Sequence, residues 1–253
     1  MIFAALEFPP LSHILNWKDL VTGLNKIGVI AVLAALVTIL VFGLAGRGDP
    51  LKAPKGIRNF AETVIEFIQK NVILQTMGND GLGWTPFLTT VFSFVFLMNI
   101  TGIIPTFQMP GNARMAAPLF LAVIVWLIYN AVGIKHQGIG GYLKSSLFPP
   151  GLPKPLYLLV TPIEFVSNFL VRPFSLAIRL FANLMAGHIL LFTFALMTKS
   201  LLDSVAWLKP VAILTVAMLI FLTAFEVLVA FLQAYIFSML TAVYIGSSAH
   251  PEH

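Results

Sequence analysis

Pro210 to Gly246 is a run of 37 residues that holds one charge, Glu226. As a helix rising ~1.5 Å per residue it would reach about 55 Å. The hydrocarbon core of a bilayer is only ~30 Å thick. The preceding run, Leu156 to Lys199, has 44 residues and would reach about 66 Å. Segments this long and apolar constrain the chain more than anything else in it. They break, at Pro162 and Pro173, or they cross the membrane strongly oblique to its normal. The short polar connector from Lys199 to Lys209 makes them an antiparallel hairpin of two tilted helices, 156–199 and 210–246.

The rest of the 253 residues fits the same solvent. Hydrophobic residues make up 58% and charged residues 10%, with a mean hydropathy of +0.93, which excludes a water-soluble domain. Residues 27–46 form a charge-free span framed by Lys26 and Arg47, after an N-terminal segment 1–26. That segment lacks a basic stretch and carries Glu7, Pro9 and Pro10, so it does not read as a cleaved signal. In 57–77, Ile57, Phe60, Ala61, Val64, Ile65 and Ile68 recur at helical spacing opposite Glu62, Glu66 and Lys70. This predicts an amphipathic helix, on the membrane surface or in a small loop subdomain. Spans at 85–105 and 115–134 follow. The Gly-rich stretch Lys135–Gly141 is expected to be a plain loop, since it is too irregular for a phosphate cradle and follows no strand.

The fold expected is an all-α integral membrane protein, a single domain over 1–253. It has five transmembrane helices, including the long tilted C-terminal hairpin, and one surface amphipathic helix. Five spans put the termini on opposite sides. With the N-terminus outside, the inner loops carry eight Lys and Arg against five for the outer segments, which favours a cytoplasmic C-terminus. Without cysteine there are no disulfides or thiolate metal sites. No basic stripe with interleaved aromatics suggests nucleic acid, and no nucleotide loop, metal-spaced histidine cluster or nucleophile elbow is present. No cofactor or metal is expected. His250 and His253 lie on a polar tail and read as solvated, and the sequon Asn99-Ile100-Thr101 is discounted inside a span.

The chemistry concentrates in the hairpin. Its first helix carries Glu164, Arg172, Arg179, Asn183 and His188, its second Glu226 and Gln233. An arginine at the bilayer centre costs roughly 2.5–3.5 kcal/mol on insertion scales. A guanidinium holds its proton at any ordinary pH, so it cannot escape that cost by losing it. At ~100° per residue, Arg179 shares a face with Asn183 and with Arg172, while His188 lies about 180° away. Glu226 and Gln233 share a face of the second helix. The simplest pairing sets His188 against Glu226 and turns Arg179 toward another partner. A fixed cation beside two titratable groups suits a proton-driven machine. Any one of these polar residues could instead be glue between helices.

Three segments resemble subunit a of F-type ATP synthase, the membrane stator of a bacterial-type rotary proton motor. They are Pro173-Phe174-Ser175-Leu176-Ala177-Ile178-Arg179-Leu180-Phe181-Ala182-Asn183-Leu184-Met185-Ala186-Gly187-His188, then Leu232-Gln233-Ala234-Tyr235-Ile236-Phe237 onward to Tyr244, and Phe96-Leu97-Met98-Asn99 followed by Pro105. The resemblance implies a non-catalytic proton-channel subunit in a bacterial plasma membrane, bound to a c-ring and to peripheral-stalk b-type subunits. It implies that Arg179 faces the ring carboxylates and separates two aqueous half-channels. It places His188 and Glu226 in the inlet half-channel, with Asn183, Gln233 and Asn99 as polar neighbours. Some members carry an acid at the place of His188 and a histidine at that of Glu226, a swap that suggests contact. Some also carry an acid where Gly102 stands. Glu164 falls one residue from another family acid. The alternatives are a stand-alone proton channel, a proton-coupled secondary transporter, or a scaffold whose polar groups only pin helices. Transporters often show internal repeats, and no convincing repeat relates the two halves here.

Overall fold

The structure, a computed structural model, describes residues 26–47, 53–104, 115–148, 156–203 and 209–249. The first 25 residues of the N-terminal segment, Pro105 and the His250–His253 tail lie outside the described residues. Among those described, nearly all are helical and none is in a strand. Five helical stretches are long and apolar enough to cross a membrane: Ile27–Ala45, Gly78–Ile100, Ala116–Leu147, Tyr157–Leu202 and Lys209–Ala249. It is an all-α, multi-pass membrane protein.

Helix α1, Lys26–Ala45, is apolar on every face, as a span against lipid must be. Helix α2, Ile57–Ile68, passes through a π turn, Gln69–Ile73, into a short α turn, Leu74–Thr76. Its polar face carries two i,i+4 ion pairs, Arg58–Glu62 and Lys70–Glu66. The hydrogen bond from Lys70 holds the Glu66 carboxyl below the usual carboxylate range. Its apolar face is not left to lipid. Ala61, Ile68, Val72 and Ile73 are buried, and the Phe67 ring meets Phe92, Phe231 and Tyr235 at centroid distances of 5.7–5.8 Å. Ile57 and Phe60 stay outward.

A 3-10 turn, Gly78–Trp84, leads into α3, Thr85–Ile100, with Pro86 in the first turn where its missing N–H costs nothing. Helix α4, Ala116–Leu147, corrects the expected loop at Lys135–Gly141. The stretch is helical except at Gly138, where φ is 73° and ψ 162°. That one left-handed residue, cheap only for glycine, bends the chain back. Tyr142 then lands on Gly133, and its hydroxyl donates to Asn130 Oδ1 at 2.8 Å.

The prolines do not break the first arm of the hairpin. Pro162 sits inside α5, Tyr157–Val166, and Pro173 opens α6, Arg172–Leu202, with a π turn, Ser167–Val171, between them. A proline ring clashes with the carbonyl four residues back. The wider π turn makes room for Pro173 without ending the helix.

Helix α7, Lys209–Ala249, runs antiparallel to α6 in a register fixed at three depths. Thr198 Oγ1 donates to Thr215 Oγ1 at 2.9 Å near the turn, Gly187 packs on Glu226 midway, and the Arg172 guanidinium lies 5.3 Å from the Tyr244 ring centre at the far end. Lipid is as apolar as leucine, so close packing, not hydrophobic burial, must hold helices together. The buried stripe of α7 obliges with small residues, Ala230, Ala234, Ser238, Thr241 and Ala242, against α3, α4 and α6. Ile213, Leu214 and Ile220 on the opposite face are exposed, as lipid contact requires.

Candidate functional site

Arg179, itself half-buried, lies on the flank of α6 away from its buried stripe. Leu176, Ala177, Leu180 and Leu184 form the buried stripe of that helix, and Ser175, Ile178, Ala182 and Asn183 around Arg179 are exposed. No described residue gives the Arg179 guanidinium a hydrogen bond or an ion pair. Among the described residues the cation is therefore uncompensated. Asn183 shares this flank, as its spacing from Arg179 predicts. Arg172 does not, because its guanidinium is drawn over Tyr244, an attraction worth about 0.5–2 kcal/mol.

Glu226 is the reverse case. It is 4% exposed, and neither carboxyl oxygen has a hydrogen-bond partner among the described residues. A buried carboxyl without a hydrogen-bond partner is costly, and ionisable groups in membrane helices mark function. The expected meeting of His188 with Glu226 is not made through a hydrogen bond. Glu226 packs instead on Gly187, one residue before the histidine, and a Cβ on Gly187 would stand 3.3 Å from Oε1. The reason is azimuth. His188 lies roughly 180° from Arg179 by count, past the strip of α6 that touches α7, while Gly187 lies closer to it.

Two predicted neighbours join Glu226. Asn99 is fully buried at the end of α3, and its Nδ2 reaches the Ala230 carbonyl of α7 at 3.4 Å, one turn from Glu226. Gln233, 4% exposed, continues the same buried stripe a turn further on. Gly102, just past α3, is buried as well. Glu164 belongs elsewhere. Its Oε2 accepts a hydrogen bond from Asn168 Nδ2 at 3.3 Å, and Asn168 also donates to the Ser146 carbonyl at 2.8 Å. The predicted residues thus divide into Arg179 with Asn183 on that flank, an inner group of Glu226, Gln233, Asn99 and the His188 segment, and a separate Glu164. Among the described residues no cluster of three or more His, Asp and Glu could hold a metal ion. A cleft of about 670 Å³ between Asp80, Trp84, His136 and Gly246 is lined by none of the predicted residues.

The sequence that builds this arrangement matches a known family. The profile of the ATP synthase A chain matches residues 28–246. ATP synthase subunit a of Frankia alni is 42% identical over 245 residues, covering 94% of this chain and 84% of that protein. Subunit a of Rhodococcus erythropolis is 38% identical over 231 residues, covering 90% and 84%. That of Hyphomonas neptunium is 37% identical over 258 residues, covering 98% of both. The chain belongs to the ATP synthase A chain family.

For a member of the ATP synthase A chain family, sequence reasoning overlooked two things. Gly187 was invisible because it has no functional group, and its role is the space it leaves for Glu226. The polar bonds that tie α4 to the first hairpin arm and to α7 were also missed. Tyr129 Oη donates to the Asn168 carbonyl at 2.9 Å, and Gln137 Nε2 donates to the Ser248 carbonyl at 2.8 Å. An asparagine four residues after Glu164 was the one available signal.

Proposed function

We propose that this chain is the proton-translocating stator subunit of an F-type rotary ATP synthase. It forms two aqueous half-channels that load and unload protons on the carboxylates of a c-ring, with Arg179 separating them. The observation that carries this reading is Arg179, mid-span among exposed neighbours and unpartnered among the described residues. A passing carboxylate supplies the missing counter-charge. The cation favours that group's ionised form, so the proton leaves toward the exit side. It also repels protons that would cross directly. Glu226, His188, Asn99 and Gln233 form the inlet half-channel, with Asn183 beside Arg179 at the ring and Glu164 on a different branch. ATP chemistry belongs to other subunits, and b-type subunits brace this one. The chain sits in a bacterial plasma membrane with its N-terminus outside and its C-terminus in the cytoplasm.

The test is proton flux alongside ATP synthesis in vesicles that carry the complete enzyme. Losing an interaction of roughly 3 kcal/mol corresponds to about a 100-fold drop in rate. Arg179→Ala should lose synthesis on that scale and also leak protons passively. Arg179→Lys should fail nearly as badly, because a desolvated ammonium can shed its proton. Synthesis at parent rates in Arg179→Ala would end this reading.

A further inference from the structure

We propose that the π turn Ser167–Val171, locked by the Tyr129 hydroxyl, sets the direction in which Arg179 points, which makes Tyr129 a positioning residue. The proposal rests on the reading above that Arg179 faces the ring.

The backbone accounting is specific. The Arg172 N–H donates to the Ser167 carbonyl, five residues back. Pro173 has no N–H. The Asn168 carbonyl is thus left with neither the donor an α-helix would give it nor the donor a π-helix would. A buried carbonyl without a partner is costly. Tyr129, 2% exposed on α4, fills the vacancy at 2.9 Å. The Trp126 ring, one turn earlier on α4, packs edge-on against Phe169 inside the same turn. Asn168 adds its bond to the Ser146 carbonyl. At the other π turn, Gln69–Ile73, a tyrosine also donates to a carbonyl, Tyr235 Oη to that of Asn71 at 3.1 Å.

Direction follows from counting. Asn168 and Arg179 are eleven residues apart, about 20° around a regular helix. Both would then face α4, or both would face outward. The π turn absorbs one extra residue, worth ~100°, and sets them about 80° apart. Asn168 is buried against α4, and Arg179 sits among exposed neighbours.

The chain has no cysteine, so single cysteines report rotation cleanly. Ala182→Cys and Ala186→Cys are paired with a cysteine next to the ring carboxylate, and disulfide yield is read in the complete enzyme together with ATP synthesis. Tyr129→Phe with Pro173→Ala removes both reasons for the π turn. Cross-linking should pass by one residue, to cysteines at Phe181 and Met185, and synthesis should fall at least ten-fold. Adding a deletion of Leu170 closes a regular helix with Arg179 back in its original direction. That deletion should restore the parental cross-links and bring synthesis to within about three-fold of the parent. Tyr129→Phe alone should spread cross-linking over adjacent positions. An unchanged cross-linking pattern in the double variant, or no rescue by the deletion, overturns the proposal. If the double variant does not assemble, an unaltered pattern in Tyr129→Phe overturns it instead. Absence of any cross-link to the ring in the parent would instead contradict the stator reading.

Discussion

Charge in an apolar run is legible at a glance, and an uncharged gap is not. Arg179, His188 and Glu226 stand out in sequence because nothing else within a turn of them ionises. Gly187 does not, yet it decides where the Glu226 carboxyl rests. Alanine in a helix is ordinarily better than glycine by about 1 kcal/mol. At Gly187 the new methyl would stand 3.3 Å from Oε1, so the carboxyl must shift by a few tenths of an ångström. Gly187→Ala should therefore keep or raise the thermal stability of the purified complex while slowing proton-driven ATP synthesis about three- to ten-fold, or roughly 1 kcal/mol. Glu226→Asp, one methylene shorter, should recover part of that rate when combined with it. The measurement is synthesis against melting temperature for the two single variants and the double. Equal rates in Gly187→Ala and the parent would show that the packing has no bearing on transport.

Among the elements, helix type was readable and helix shape was not. Apolar length alone announced the five spans. The bend of α4 hid in a stretch whose glycines look interchangeable, although only Gly138 takes a positive φ. The π turns were hidden too, because each accepts a hydrogen bond from a tyrosine of another helix, 39 residues away for Asn168 and 164 for Asn71. The glycines of α4 offer a direct comparison. A Cβ on Gly133 would sit 2.4 Å from the Tyr142 ring, while one on Gly140 meets nothing within 4 Å. Gly133→Ala should destabilise by about 1–3 kcal/mol through overpacking. Gly140→Ala should be neutral or stabilise by up to about 1 kcal/mol. Thermal unfolding in detergent, followed by loss of assembled complex, separates the two. A shift of the same sign for both would show that Tyr142 yields freely and that the bend is not held by this contact.

At the scale of the molecule, the first arm of the hairpin is continuous helix from Tyr157 to Leu202, 46 residues or about 69 Å, and α7 is 41 residues. With no break to shorten either arm, both should lie far from the membrane normal, at more than about 45°. Spin labels on Leu159 and Ile189, both exposed and about 45 Å apart along the axis, should both report lipid depth. A label in bulk water, with a tilt near 20°, would contradict this. The length was plain in the sequence, but the fate of Pro162 and Pro173 was not, since a proline can end a helix or only widen a turn. The three tie points of the hairpin carry a mechanical consequence. Two helices joined only at their loop can slide along each other when pushed sideways. Here the Thr198–Thr215 bond, the Gly187–Glu226 contact and the Arg172–Tyr244 stack oppose that sliding at both ends and in the middle. The pair then bends as one beam, and a sideways force on Arg179 is shared along its whole length.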